Sequence, residues 1–238
     1  MKINWFYIRM LVLVAVTLGL VAFTHKRNAN RKVKEVKVNF EAGANLFVTA
    51  ESVDKLLIQN GKPIEGQYKE ILDLKDLENK LDAHAMIADA DVYMTLDGVV
   101  GATVKQRKPL ARVQTKTPFY IDEEGKTMPL STNYAARVPL VTGVSKEQVK
   151  EIFPLLKYLQ EDNVLATQVV GISRDKTGDY SLTLRVLNYK VIVGKIERLS
   201  SKFSNYKAFY QKAIKDNSLE VYTSIDLRFK GQVVGTKK

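Results

Sequence analysis

The sequence of 238 residues predicts an α+β protein with a single N-terminal transmembrane helix. Three observations carry this prediction. A continuous apolar segment lies near the N-terminus, a strand-helix-helix-strand-strand pattern follows it, and short alternating strands with flanking helices fill the second half. The predicted divisions are residues 1–4 as a short tail, 5–23 as the anchor, 24–32 as a linker, 33–108 as a first domain and 109–238 as a C-terminal mixed β domain.

The anchor is predicted from the segment Trp5 to Phe23, which has about 19 residues, close to the roughly 20 that cross a bilayer. A cleaved secretory signal is the alternative, but its apolar core would be shorter and would end in an A-x-A-like site, which residues 20–23 do not provide. Arg9 lies one turn into the segment, where its long side chain can extend to the headgroups. We therefore predict an uncleaved membrane anchor.

Charge gives a first indication of orientation and of partners. Basic residues flank both ends of the anchor: Lys2 and Arg9 towards one end, and Lys26, Arg27, Arg31 and Lys32 beyond the other. Taken alone, the positive-inside rule would place the C-terminal body in the cytoplasm. The net charge of +11 is scattered along the chain, which favours a solvated basic surface near anionic lipid or cell-wall polymer over nucleic-acid binding.

The first domain begins with a strand and two helices. Alternation from Val36 to Phe40 is typical of a half-buried strand. Thr49 is the predicted N-cap of a helix that Asn60-Gly61 would end. A second helix is predicted to start at Asp73, because apolar residues then recur at helical spacing. That apolar stripe consists of Leu74, Leu77 and Leu81.

A β-hairpin is the clearest local signal in the chain. Apolar residues alternate with polar ones from Met86 to Leu96 and again from Val100 to Val104, on either side of Asp97-Gly98. The order of elements predicts two helices packed on one face of a three-stranded sheet.

The second half predicts a larger sheet with helices. Its predicted elements are short strands at Ala111 to Gln114 and Phe119 to Asp122, a helix capped by Ser145 with a kink or break at Pro154, strands at Val164 to Ile172, Tyr180 to Val186 and Lys190 to Val193, a helix from about Ile196 to Ile214, and a closing strand from Val221 to Phe229. We interpret the closing strand as an edge strand of the sheet.

Residues that could carry catalysis are sparse. The two histidines, His25 and His84, have no neighbours at ligand spacing, and there is no cysteine to form a disulfide or a thiolate site. Asp89 and Asp91 share one strand face and could imitate a carboxylate pair, but solvent-facing strand charges are the simpler interpretation. The prediction is therefore a protein without a catalytic site, metal, cofactor, small-molecule substrate or nucleic-acid partner.

Five short motifs follow one another in the second half of the chain. They are Arg107-Lys108-Pro109-Leu110-Ala111-Arg112-Val113, Phe119-Tyr120-Ile121-Asp122 before Gly125, Val138-Pro139-Leu140-Val141-Thr142-Gly143, Val193-Gly194 with Lys195, Arg198 and Leu199, and Ile225-Asp226-Leu227-Arg228-Phe229. Together with the anchor and the first domain, they resemble the FtsQ/DivIB family of bacterial cell-division proteins over nearly the whole chain.

The resemblance implies a fold, a location and a function. The fold is a short cytoplasmic tail, one membrane helix, a POTRA domain and a C-terminal β domain. The location is the inner membrane, with the body in the periplasm, and here the resemblance outweighs the flanking charges. The function is a non-enzymatic scaffold of the divisome that docks FtsB-like and FtsL-like partners on its C-terminal strand.

The resemblance also assigns docking residues. Those matched by motif are Asp226, Leu227, Arg228, Phe229, Lys230 and Gly231, and the outward-facing positions Tyr222 and Ser224 join them by alternation. Alternation also puts Leu227 and Phe229 on the same face as Ile225, which would be the core face. We expect recognition through the backbone of the strand, because an exposed edge can pair with a strand of a partner.

Two other functional classes fit parts of the pattern. POTRA units also occur in outer-membrane assembly and secretion proteins, but there they precede a barrel for which this chain has no room. A membrane-bound cell-wall enzyme is disfavoured, because the sequence has neither a nucleophile in a motif context nor a metal-ligand pattern.

Overall fold

The computed structural model describes residues 5–41, 47–59 and 61–238, which form two compact units, Met1–Gln106 and Arg107–Lys238. The first helix, α1 (Trp5–Ala29), has a mean hydropathy of 2.3 over its apolar window and buries none of it inside the protein. A helix of this length and composition can cross a membrane, and it runs six residues beyond Phe23. The predicted tail, residues 1–4, lies outside the described residues.

In its described part, the first unit contains a three-stranded sheet and two α-helices besides α1. Its elements are β1 (Glu35–Phe40), α2 (Ala50–Leu56), β2 (Ile58–Gln59), β3 (Lys62–Pro63), α3 (Leu74–Asp82), β4 (Ile87–Met94) and β5 (Val99–Gln106). The main sheet has the order β1-β5-β4, with β1 parallel to β5 and β4 antiparallel to it. This arrangement confirms the predicted strand-helix-helix-strand-strand order.

Both helices of this unit start at the predicted caps. The Thr49 hydroxyl accepts a hydrogen bond from the Ser52 N–H at 3.2 Å, and the Asp73 carboxylate accepts one from the Asp76 N–H at 3.0 Å. Side-chain acceptors of this kind satisfy amides that the first turn of a helix leaves unpaired. The apolar stripe of α3 then packs inward, with Leu77 and Leu81 fully buried.

The predicted end of α2 is wrong, because the helix ends at Leu56 and the chain then forms the short β2–β3 pair. The Gln67 side-chain amide donates to the carbonyl oxygens of Lys62 and Pro63 at 3.2 and 2.8 Å, which holds this pair in place. Asn60 lies outside the described residues. The Gln67 side chain, six residues beyond Gly61, thus outweighs the local helix signal.

The β4–β5 hairpin follows the predicted alternation with two exceptions. A bulge between Ile87 and Asp89 lets Met86 and Ile87 both face the core. Leu96, predicted to continue the inward face, is 81% exposed in the turn. Asp89 is exposed, as the solvent-facing interpretation expects.

The second unit is a single large sheet with helices. Its elements are β6 (Pro109–Val113), β7 (Phe119–Asp122), β8 (Thr127–Pro129), β9 (Leu140–Thr142), α4 (Val149–Glu161), α5 (Asn163–Gln168), β10 (Val169–Arg174), β11 (Tyr180–Leu184), β12 (Lys190–Gly194), α6 (Leu199–Lys215), β13 (Tyr222–Asp226) and β14 (Val234–Lys237). The nine strands have the order β14-β13-β12-β11-β10-β9-β6-β7-β8. The α+β fold class is therefore confirmed.

The core of this unit lies between the sheet and the two long helices. Tyr158 of α4 stacks on Phe203 of α6 with ring centroids 5.1 Å apart, so the two helices pack side by side. Leu155 and Phe203 are fully buried, as is Val191 on the sheet. Burial of such side chains is the main favourable contribution to the stability of a domain.

Three predicted elements of this unit need correction. Residues 163–168 are the helix α5 and not a strand, because the Asp162 carboxylate accepts hydrogen bonds from the N–H groups of Val164 and Leu165 at 3.1 and 3.2 Å. No break occurs at Pro154, since α4 runs through it and keeps its buried face. The last helix begins at Leu199, because Arg198 before it has the left-handed φ of 51°.

Candidate functional site

The C-terminal hairpin differs from the predicted closing strand. The predicted strand ended at Phe229, but β13 ends at Asp226 and the chain returns as β14, antiparallel to it. Gly231, with a φ of 75°, supplies the left-handed residue that this reversal uses. Since β13 pairs with β12 on one side and β14 on the other, the prediction that β13 is the edge is wrong.

The outer edge of the sheet at this end belongs to β14, and all four of its residues are exposed. The Lys238 N–H donates to the Val221 carbonyl oxygen of the preceding segment at 2.9 Å. Because backbone groups alternate along a strand, Thr236 also directs its N–H and C=O towards β13, whereas Gly235 and Lys237 direct theirs to the free edge. The β14 edge therefore offers main-chain donors and acceptors to an added strand.

The predicted docking residues fall into three groups by exposure. Arg228, Phe229, Lys230 and Gly231 are exposed, Tyr222 and Ser224 are half-buried, and Asp226 and Leu227 are buried. Leu227 lies in the core beside Ile225, as alternation predicts. Phe229 does not share that face, and it is 47% exposed because the strand has already ended.

Asp226 and Arg228 form the closest ion pair of the hairpin. The guanidinium donates from Nε to Oδ1 at 3.0 Å and from Nη2 to Oδ2 at 2.6 Å, and the Arg228 backbone N–H donates to Oδ1 at 3.0 Å. Burial raises the pKa of Asp226, but the hydrogen bonds from Arg228 outweigh it and leave that pKa below its ordinary value. The pair thus fixes the direction in which the chain leaves β13.

The ion pair extends to two residues that are distant from it in the sequence, Asp179 and Lys195. Arg228 Nη1 lies 3.4 Å from an Asp179 carboxylate oxygen, and Lys195 Nζ lies 3.2 Å from the other. Gly194 makes room for the arginine, because a Cβ at that position would stand 2.5 Å from Arg228 Cγ. The motif containing Gly194 and Lys195 was visible in the sequence, but its contact with Arg228 depends on the fold.

A buried lysine, Lys202, holds the backbone segment that carries Lys195. Lys202 is 5% exposed, and its Nζ donates to the carbonyl oxygens of Val193 and Lys195 at 2.9 and 2.7 Å. Burial lowers the pKa of Lys202, since the charged form loses its solvation. The side chain therefore holds the backbone that presents Lys195 to Asp179.

The described residues contain no group of three or more His, Cys, Asp or Glu side chains that could hold a metal ion. The ion pair of Asp226 and Arg228 holds the turn that follows β13. Beside this turn lies the exposed, unpaired edge of β14. Such an arrangement is suited to binding an extended segment of another protein.

Two family models match the chain. The model described as FtsQ/DivIB, C-terminal related, matches residues 108–236, and that of a POTRA-like domain matches residues 31–105. A comparison with curated proteins gives no significant match. The first match covers more than half of the chain and reaches Thr236 in β14. The chain therefore belongs to the FtsQ/DivIB family and is a division-related scaffold with a POTRA-like domain.

Proposed function

We propose that this protein is a non-enzymatic scaffold of the divisome, anchored in the inner membrane with its body in the periplasm. Its domains are assigned as in the sequence analysis, with residues 33–108 as the POTRA domain and 109–238 as the C-terminal β domain. In this proposal it links division proteins and docks FtsB-like and FtsL-like partners at the C-terminal hairpin. Membership of the family and the helix α1, which is long and apolar enough to cross a membrane, support this role.

The observation that carries the docking proposal is the open edge of β14. A partner segment in extended conformation would pair with the outward backbone groups of Gly235 and Lys237, extending the sheet by one strand. The Tyr222 ring packs against β14 at Gly235, in the space that a side chain at this position would occupy, and so supports this edge. The proposal thus keeps the predicted backbone mode and moves it from β13 to β14.

The eight predicted docking residues have different roles in this arrangement. Arg228, Phe229 and Lys230 are exposed at the turn beside the edge and can contact the partner directly. Asp226 and Leu227 act through their positions, since one holds Arg228 and the other lies in the core.

A matched pair of substitutions tests the backbone mode. Lys237→Pro removes the outward N–H together with the lysine side chain, and Lys237→Ala removes the side chain alone. In a pull-down of the FtsB-like partner with the membrane-reconstituted chain, the proline variant should lose binding and the alanine variant should keep most of it. Equal binding by the two folded variants would place docking elsewhere.

The proposed orientation has a separate test. A reporter that is active only outside the cytoplasm, fused after Lys238, should be active. Activity of a cytoplasm-specific reporter at the same place would contradict the periplasmic location.

A further inference from the structure

We propose that the first unit binds the headgroups of anionic phospholipids through a surface next to α1, so that this unit rests on the bilayer. This surface, called here the basic face, consists of Arg31, Lys32, Lys34, Tyr68 and Leu96. The inference concerns a lipid ligand and does not rest on partner docking, so its failure would leave the proposed function intact.

The connection between α1 and the domain is short. The helix continues to Ala29, and Arg31 is already bonded to the domain through its carbonyl oxygen, which accepts from the Lys69 N–H at 2.8 Å. Two residues later the Val33 N–H donates to the Gln67 carbonyl oxygen at 2.9 Å. Residues 24–29 therefore belong to α1 and residues 31–32 to the domain, so Asn30 alone lies between the two.

The length of this connection places the basic face near the headgroups. From Phe23 to Ala29 the helix rises by about 9 Å, at roughly 1.5 Å per residue. The polar layer on one side of a bilayer is about 5–8 Å thick. The backbone of Arg31 therefore lies just beyond this layer, and the long side chains beside it can reach back to the phosphates.

The charge of the segment is complementary to anionic lipid. Residues 24–34 contain five basic side chains and no acidic one: Lys26, Arg27, Arg31, Lys32 and Lys34. Arg31, Lys32 and Lys34 line one cleft together with the carboxylate of Asp97. A cluster of this density beside a membrane helix attracts anionic headgroups.

Apolar side chains accompany these cations. Leu96 projects from the β4–β5 turn and is 81% exposed, and Arg31 Nη1 donates to its carbonyl oxygen at 2.7 Å. Tyr68 is 45% exposed, with Lys32 Nζ 5.1 Å from its ring centroid. Leucine and tyrosine beside basic residues are typical of surfaces that insert into the interfacial region. The hydrogen bond of Arg31 thus fixes an apolar tip next to the cations.

An acidic protein segment could also match these charges. Lipid is favoured because the basic face begins two residues after a helix that spans the membrane, which gives headgroups a permanently high local concentration. The apolar tip at Leu96 also suits a lipid interface better than an acidic chain.

The chain has no cysteine, so a single Leu96→Cys substitution can carry a nitroxide label at the centre of the basic face. Asp89→Cys provides the control label, because it is exposed on β4 roughly 20 Å along the hairpin from Leu96. The full chain is placed in nanodiscs of phosphatidylcholine, with or without phosphatidylglycerol. Access of a water-soluble nickel chelate to each label is then measured by electron paramagnetic resonance.

Phosphatidylglycerol should protect the label at position 96 from the chelate and leave that at position 89 unchanged. The double substitution Lys32→Gln and Lys34→Gln should lower the equilibrium constant for contact between the basic face and the bilayer by roughly 25-fold, because each lysine contributes about fivefold. The control pair Lys55→Gln and Lys105→Gln removes the same charge from exposed positions outside the basic face, and it should have no effect. Equal access in both lipid mixtures, or protection that ignores the Lys32 and Lys34 substitutions, would overturn the proposal.

Discussion

The two hairpins of this chain, β4–β5 and β13–β14, use the same devices in different surroundings. In each, a tyrosine covers a glycine of the other strand: a Cβ would stand 2.3 Å from Tyr93 at Gly101 and 2.5 Å from Tyr222 at Gly235. However, β5 pairs with a strand on both sides, whereas β14 has a neighbour on one side only. Among the described strands, the glycine-bearing strand β5 thus uses both of its edges within its own sheet, and the free edge of the first hairpin is that of β4. In the second hairpin the glycine-bearing strand β14 itself has the free edge, which is available to another chain.

Substitutions of Leu77 and Leu96 in the first unit should differ in their effect on stability, because only Leu77 is buried. Leu77 on α3 is fully buried, so Leu77→Asp places an unpaired charge in the core and should cost several kcal/mol, enough to unfold this unit. Leu96→Asp, at the exposed tip, should change stability by less than about 0.5 kcal/mol. Thermal unfolding of the full chain measures both, in nanodiscs of phosphatidylcholine alone, where the basic face has no anionic headgroups to bind. An unchanged melt for Leu77→Asp would show that the core of the first unit is assigned wrongly.

Alanine at the turn glycines of the two hairpins should also cost different amounts of stability, with the larger cost in the first hairpin. Gly98 has a φ of 88°, and an added Cβ would lie 2.9 Å from the Lys32 carbonyl oxygen, a backbone atom. Gly231 has a φ of 75° with open space around it. Gly98→Ala should therefore cost about 2–3 kcal/mol and Gly231→Ala about 1 kcal/mol. Chemical denaturation of each variant gives the comparison, and equal costs would mean that backbone strain alone decides.

A smaller effect concerns the acid stability of the second hairpin. Because the folded pKa of Asp226 is below its ordinary value, the pair with Arg228 stabilises the fold above that ordinary value, and this contribution is lost as the pH falls through the folded pKa. Asp226→Asn should remove this part of the pH dependence. Since half of the Arg228 side chain is in solvent, we expect at most about 1 kcal/mol.

Stability measured between about pH 2 and 7 tests this point, with Asp216→Asn as an exposed control in the same unit. If Asp226→Asn leaves the loss of stability at acid pH as large as in the wild type, other carboxylates cause that loss.

Several elements that neighbouring residues determine were predicted correctly. The caps at Thr49 and Asp73 and the turn at Asp97-Gly98 are local, and all three are confirmed. Gly231 is a comparable turn residue, but the alternation from Val221 to Phe229 predicts one uninterrupted strand. The end of β13 depends instead on the Asp226 carboxylate, which accepts a hydrogen bond from the backbone N–H of Arg228 and turns the chain.

The candidate site was only partly predictable for a related reason. The ion pair between Asp179 and Arg228 joins residues 49 positions apart, and no periodicity reports such a contact. The identity of the edge strand likewise depends on which strand pairs last in the sheet. The docking residues therefore stay a prediction, while the identity of the edge strand beside them follows from the fold.

Hydrogen exchange of single amides in β14 tests the central claim most directly. Without a partner, the outward N–H groups of Gly235 and Lys237 should exchange fast and that of Thr236 slowly, because Thr236 faces β13. Adding the FtsB-like partner should slow Gly235 and Lys237 strongly and change Thr236 little. Unchanged exchange at Gly235 and Lys237 in a complex that demonstrably forms would contradict docking by strand addition to β14.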